Sequence, residues 1–245
     1  MRILWLIVAI AGSLCLANEF SAAQRAEQPS TKRIVIAAGT VLDGRGGIQR
    51  NTRVVVEGTK IASIDREASP VTYDMRAATL MPGWIDTHVH INWHFGPDGK
   101  SNPGINDEPD EVALYAAEAA WVTLQGGFTT LQSLGASIDR VVRDRIEHGM
   151  LPGARIFTSL HPITNRSGSP DELRALVGKM KADGADLIKL FATGGLSAGG
   201  GQTMSDEQIQ AACGETNCGL LARRGRCNFE SRANFGVIAL RLSTN

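Results

Sequence analysis

An α/β fold, in which a small β module precedes a run of alternating strands and helices, is predicted by three observations. Short β-branched runs punctuated by glycine fill the stretch from Lys32 to Pro82, strand and helix patterns alternate from Gly83 onward, and helix-start signals recur through that second stretch. The 245 residues are 43% hydrophobic and 20% charged, the range of chains that bury a core. Lys plus Arg number 25 and Asp plus Glu number 25, so no basic field exists to hold a phosphate backbone and nucleic acid is not expected as a partner.

The elements follow in order. Arg2 precedes the apolar run Ile3 to Leu16, and Ser21-Ala22-Ala23 then places small residues at the −3 and −1 positions of a cleavage site. Residues 1–23 therefore read as a signal peptide, with a mature chain beginning near Gln24 and a periplasmic or secreted location. The run is shorter than the ~20 apolar residues that span a bilayer, so no stable membrane anchor is expected. Residues 32–82 form the β module, with runs Arg33–Ala37, Thr52–Glu57 and Lys60–Ile64, and Glu57-Gly58-Thr59-Lys60 as a hairpin turn.

Residues 83–213 read as four βα units. The strands are Trp84–Ile91, Thr129–Ser133, Arg155–Ser159 and Asp186–Ala192, and the helices are Glu111–Gln125, Ser137–Glu147, Ser169–Ala182 and Ser205–Ala212. This alternation predicts a parallel sheet or a barrel. Ser169-Pro170-Asp171-Glu172 supplies an N-cap, a first-turn proline and acidic residues at the positive helix end, and Ser205 with Gln208 repeats a capping box. The rhythm stops at 214–245, an atypical tail in which Gly219 to Asn245 holds five Arg and no Lys. Its composition suits a solvated tail or a segment translated out of frame. Cys213, Cys218 and Cys227 are an odd number after removal of Cys15 and read as incidental thiols.

The chemistry concentrates in Met81-Pro82-Gly83-Trp84-Ile85-Asp86-Thr87-His88-Val89-His90. Residues two apart on a strand share a face, so His88 and His90 can offer imidazole nitrogens to one cation with Asp86 behind them. The residues alone are equally compatible with two surface histidines on a half-exposed strand. His94, in the loop leaving that strand, and His161, after the third strand, are candidates for contact with a substrate, whereas His148 complements a helix end. Gly195-Leu196-Ser197-Ala198-Gly199 fits the G-x-S-x-G elbow of serine hydrolases. Further glycines delay the following helix to about Ser205, and no ordered Asp and His follow, so that reading is a minor alternative.

The β module ending in TLMPGWIDTHVHI, followed by GFTTLQSLG, GADLIKLFATGG and GGQTMSDEQIQAA, resembles the amidohydrolase superfamily, in its imidazolonepropionase-like and Xaa-Pro dipeptidase-like branch. The resemblance implies the first half of a TIM barrel behind a β-sandwich portion. It implies a site for two zinc ions at the barrel mouth, held by His88, His90 and Lys189, the last carboxylated by carbon dioxide. It further implies hydrolysis of the carbon–nitrogen bond of a small molecule such as a dipeptide or an N-acyl amino acid. The family pattern also requires two later histidines and an aspartate on the eighth strand. His94, His148 and His161 all precede Lys189, so no residue is assignable to those roles and no catalytic residue is named. The alternative expectation is an inactive truncated fragment of such an enzyme, whose open barrel edges lead to oligomers or aggregates.

Overall fold

The structure is a computed structural model that describes residues 32–195, 200–214 and, for the backbone alone, 237–241. Residues 1–23, expected to be a signal peptide, most of the tail after Gly214 and Ser197 of the elbow motif lie outside the described residues. The chain divides after Pro82 into two units.

In the first unit, β1 (Arg33–Leu42), β2 (Ile48–Glu57), β3 (Lys60–Ile64) and β4 (Tyr73–Leu80) form one sheet in the order β3-β2-β1-β4. β1 and β2 are antiparallel with Val35 opposite Val55, and β4 lies parallel to β1. Alternation along β1 sends apolar side chains to both faces. Val35 and Val55 pack with Ala68 in one cluster, and Ala38, Val41 and Val54 form another. The described residues of this unit make a single four-stranded sheet. Every residue of β3 is exposed and so are all but the last of β4, so neither strand offers a covered face for a second sheet.

The second unit is mixed α/β. β5 (Trp84–Val89), β8 (Phe128–Ser133) and β9 (Arg155–Thr158) form a parallel sheet in the order β5-β8-β9. A second sheet contains β10 (Pro162–Ile163), β11 (Leu187–Phe191) and β12 (Val237–Arg241), while β6 (His94–Phe95) and β7 (Ser101–Asn102) make a small hairpin. Helices α1 (Pro109–Gln125), α2 (Ile138–Glu147), α3 (Pro170–Ala182) and α4 (Asp206–Gly214) follow β5, β8, β9 and β11 in turn. Among the described residues the strands do not close into a barrel. β12 pairs antiparallel with β11, Lys189 opposite Ala239, and so departs from the parallel order of the strands before it.

Local signals explain the helix starts. The Ser169 side chain accepts from Glu172 N–H, and Glu172 Oε2 accepts from Ser169 N–H at 2.7 Å. Ser205 and Gln208 repeat the exchange at 3.0 and 3.2 Å. Packing completes the framework. Ala116 and Ala120 of α1 share one helix face and meet Leu131, Val142 and Ile156, while Leu173 and Val177 of α3 meet Ile188 and Leu190 of β11. Gly83 is required by a close approach, since a Cβ there would stand 2.1 Å from the Thr129 side chain of the neighbouring strand. Cys213 is buried and disulfide-bonded, which corrects its reading as an incidental thiol.

Candidate metal centre

β5 carries the first two candidate ligands, with an irregularity that strict alternation does not foresee. Asp86 pairs with Leu131 and Val89 with Ser133, so the intervening stretch holds one residue more on β5 than on β8. His88 lies in this bulge, and Asp86 Oδ1 accepts from its backbone N–H at 3.0 Å. The strand ends at Val89 rather than Ile91, which places His90 one residue beyond it. There the ladder is continued by a side chain, because Ser133 Oγ accepts from Ile91 N–H at 3.3 Å. The two imidazoles stay adjacent, their ring centroids 5.7 Å apart.

β11 brings the third. Lys189 is 2% exposed in a strand whose residues Leu187 to Leu190 are all buried. Its Nζ stands 3.4 Å from His90 Nε2, donates to the carbonyl of Leu134 at 3.3 Å, and lies 4.5 Å from the centroid of the Phe191 ring. Ninety-nine residues separate His90 from Lys189 in sequence, so the approach is a product of tertiary folding. Gly135 belongs to the same neighbourhood. Its φ of 149° is one that side chains rarely adopt, and a Cβ there would meet His90 Cε1 at 3.4 Å.

Electrostatics leave these groups uncharged more readily than usual. Burial, with Lys189 and His88 nearby, pushes His90 down to about 4, so its ring carries a free lone pair at neutral pH. His88 is lowered by burial and by Lys189, with Asp86 acting in the opposite direction. Burial also lowers Lys189. Neutral imidazoles and a disfavoured ammonium are what metal coordination and lysine carboxylation each need. Among the described residues, no set of three or more His, Cys, Asp and Glu side chains is arranged to hold a metal ion. The donor set reaches three only when Lys189 is counted.

The other candidates stand apart. His94, in β6, is half-buried, faces Asp107 at 3.2 Å through Nε2 and stacks on Tyr115 at 3.6 Å between ring centroids. Asn102 of β7 donates to both Asp107 oxygens at 3.2 and 3.1 Å, so His94 is packed into the network of the hairpin. His161 is exposed ahead of β10. His148 caps α2, its Nδ1 2.6 Å from the carbonyl of Asp144. Two aromatic neighbours were not found by sequence reasoning. Trp93 stacks on His90 with ring centroids 4.7 Å apart, and Phe191 faces Lys189; the only signal was their spacing, three residues from His90 and two from Lys189.

Comparison with known proteins gives the class. The model of the amidohydrolase family matches residues 79–217, and the chain belongs to that family. An N-acyl-D-glutamate deacylase of Alcaligenes xylosoxydans xylosoxydans is 38% identical over 79 residues, covering 29% of this chain and 16% of the relative. A deacetylase of Agrobacterium fabrum is 37% identical over 65 residues, covering 24% of this chain and 16% of the relative. A crystal structure of a Xaa-Pro dipeptidase with bound methionine in the active site superposes with a TM-score of 0.64 at 27% identity, over 74% of this chain and 53% of that one. The Aspergillus niger ochratoxinase structure, at 22% identity and a TM-score of 0.61 over 75% and 52% of the two chains, shares the fold. The chain thus spans about half the length of the solved structures it matches.

Proposed function

We propose that this chain acts in metal-dependent hydrolysis of a carbon–nitrogen bond, with a dipeptide or an N-acyl amino acid as substrate. The observation that carries the reading is the meeting of Lys189 Nζ with His90 Nε2 at 3.4 Å, beside His88 and, among the described residues, without a carboxylate partner for the amine. A buried lysine kept for stability is normally paired. Relatives with deacylase and dipeptidase activity agree with the bond class, and the two sheets are read as part of a (β/α)8 barrel whose strand C-termini carry the site.

His88, His90 and a carboxylated Lys189 would hold the metal. A neutral Lys189 amine adds to carbon dioxide, forming an N–C bond and releasing one proton, which replaces a neutral amine by an anion with two oxygen donors. A divalent ion bound there supplies Lewis acidity toward the scissile carbonyl and toward water. Hydrolysis then places the water oxygen on the carbonyl carbon, breaks the C–N bond and returns a proton to the leaving amine. Around this, Asp86 fixes the bulge that presents His88, and Trp93 stacks against the His90 ring. The sequence from Arg2 to Ala23 supports a periplasmic or secreted setting as part of the same proposal.

Zinc titration by calorimetry, with and without bicarbonate, tests the site. Uptake should strengthen with bicarbonate and be lost in His90→Ala and Lys189→Met. Absence of uptake in the wild type overturns the proposal. Uptake without turnover of N-acyl amino acids or dipeptides leaves a metal-binding chain that does not hydrolyse them.

A further inference from the structure

We infer that Trp93 and Phe191 bracket the His90–Lys189 pair as a specificity element, selecting substrates in which the group beside the scissile bond is aromatic or long aliphatic rather than acidic. The inference rests on the amide-hydrolase reading above and names the substrate class that reading leaves open.

Two elements from separate parts of the second unit build the bracket. After β5 the chain turns so that Trp93 N–H donates to the carbonyl of His90 at 3.1 Å. This folds the indole back onto the imidazole, the rings inclined by only 18° with centroids 4.7 Å apart. On β11, Phe191 projects to the same face as Lys189 two residues earlier, and its ring centroid lies 4.5 Å from Nζ. Each aromatic therefore abuts one of the two nitrogens that meet at 3.4 Å.

Exposure separates these rings from ordinary core residues. Trp93 is 49% and Phe191 37% exposed, while Lys189 beneath is 2% exposed. Phe191 is also the one exposed residue of β11. Covering an aromatic surface would contribute about 25 cal/mol per Å² of apolar area removed from water. A single exposed apolar residue needs no explanation. Two aromatic faces left partly open, one against each member of a buried reactive pair, place apolar surface where a substrate group beside the reacting bond would sit.

The chemistry of that surface sets the preference. Aromatic faces gain from C–H groups and other rings through burial and offset or edge-on contact. Their faces carry the negative part of the ring quadrupole, so an Asp or Glu side chain would lose hydration there without gaining a partner. Differences of this kind discriminate by roughly tenfold or more.

The test uses the full chain loaded with zinc in bicarbonate. Binding of both enantiomers of N-acetyl-phenylalanine, N-acetyl-leucine, N-acetyl-alanine and N-acetyl-aspartate is measured by calorimetry, with hydrolysis followed in parallel. Phenylalanine and leucine compounds should bind at least about tenfold more tightly than the aspartate compound. Trp93→Ala and Phe191→Ala should each reduce that ratio severalfold. Trp93→Phe and Phe191→Leu should keep it, which separates selection from a merely structural role, and Trp121→Phe in α1 should leave it unchanged. Equal binding of acidic and apolar compounds, or a ratio unmoved by both alanine variants, overturns the bracket while leaving amide hydrolysis standing. Failure of every compound to bind overturns both.

Discussion

Arg143 and Lys189 are both cations drawn out of bulk water, and their surroundings treat them in opposite ways. Arg143 of α2, 9% exposed, donates to Asp186 Oδ2 at 2.6 Å, to the carbonyl of Gly184 at 2.8 Å and to Asp144 Oδ1 at 3.0 and 2.9 Å. Burial works against its charge, yet Asp186 and Asp144 outweigh that and hold the guanidinium above its usual range. Asp186 Oδ2 also accepts from Thr158 N–H at 2.9 Å, so the cluster ties α2, β9 and the start of β11 together. Lys189 has no carboxylate partner among the described residues. Its neighbours are an imidazole, a carbonyl and a ring, and burial alone lowers it. Complementary charge marks the framework at Arg143, whereas Lys189 is the group whose charge would change under the proposed carboxylation.

The largest expected effect comes from breaking the paired side of this contrast. Arg143→Ala strands Asp186 in a largely enclosed position and should lower unfolding free energy by roughly 3 kcal/mol, read from urea denaturation at pH 7. A similar loss from Lys189→Ala, and none from Arg143→Ala, would reverse the comparison.

Asp139, at the start of α2, sharpens it next. It is 0% exposed, receives the Thr158 hydroxyl at 3.1 Å through Oδ2 and leaves Oδ1 without a hydrogen bond. Burial pushes it up to about 6, against the opposing hydroxyls of Ser133 and Thr158. Because the folded chain holds this proton more tightly than the unfolded chain, the stabilisation is complete below about pH 4 and is lost as pH rises through about 6. Melting curves across that window should show a decline of up to about 3 kcal/mol. In Asp139→Asn the contribution of this site to that slope should vanish.

Lys189→Met carries a smaller effect of opposite sign. A buried amine with no carboxylate partner among the described residues is replaced by an apolar chain of similar length, so stability should hold or rise by about 1 kcal/mol while zinc uptake is lost. A destabilised variant would mean that Lys189 serves the core. Last in size, Ser169→Ala removes the cap of α3 and should cost about 1 kcal/mol with zinc uptake unchanged, a control that separates framework from site.

How much of this was legible in the sequence depends on the range over which each feature is decided. The helices begin within two residues of where their capping and first-turn signals place them, as at Ser169 and Ser205, because a cap is an exchange between positions three apart. β4, β6, β7 and β10 carried no comparable signal. Two are two-residue pieces of a hairpin, and Tyr73–Leu80 lacks the β-branched run that reveals β2. His88 and His90 were visible as a pair on one strand, yet the bulge before Val89 was not, since register depends on the partner strand. Lys189 looked like an ordinary lysine in an aliphatic strand until a family resemblance singled it out. His94 looked like a loop residue, and only the tertiary contacts of Asp107 and Tyr115 show it to be packed.

Taken by itself, the sequence determined the alternation of the longer strands with the helices after Gly83, the helix starts, and which residue types could bind a metal. Those features rest on hydrogen bonds and side-chain periodicity within a few positions. Tertiary structure alone decided that His90 and Lys189 meet across ninety-nine residues, that Arg143 rather than Lys189 receives the carboxylate of Asp186, and that β12 runs against β11. Strand register and burial settle such encounters, and both are properties of the packed chain as a whole.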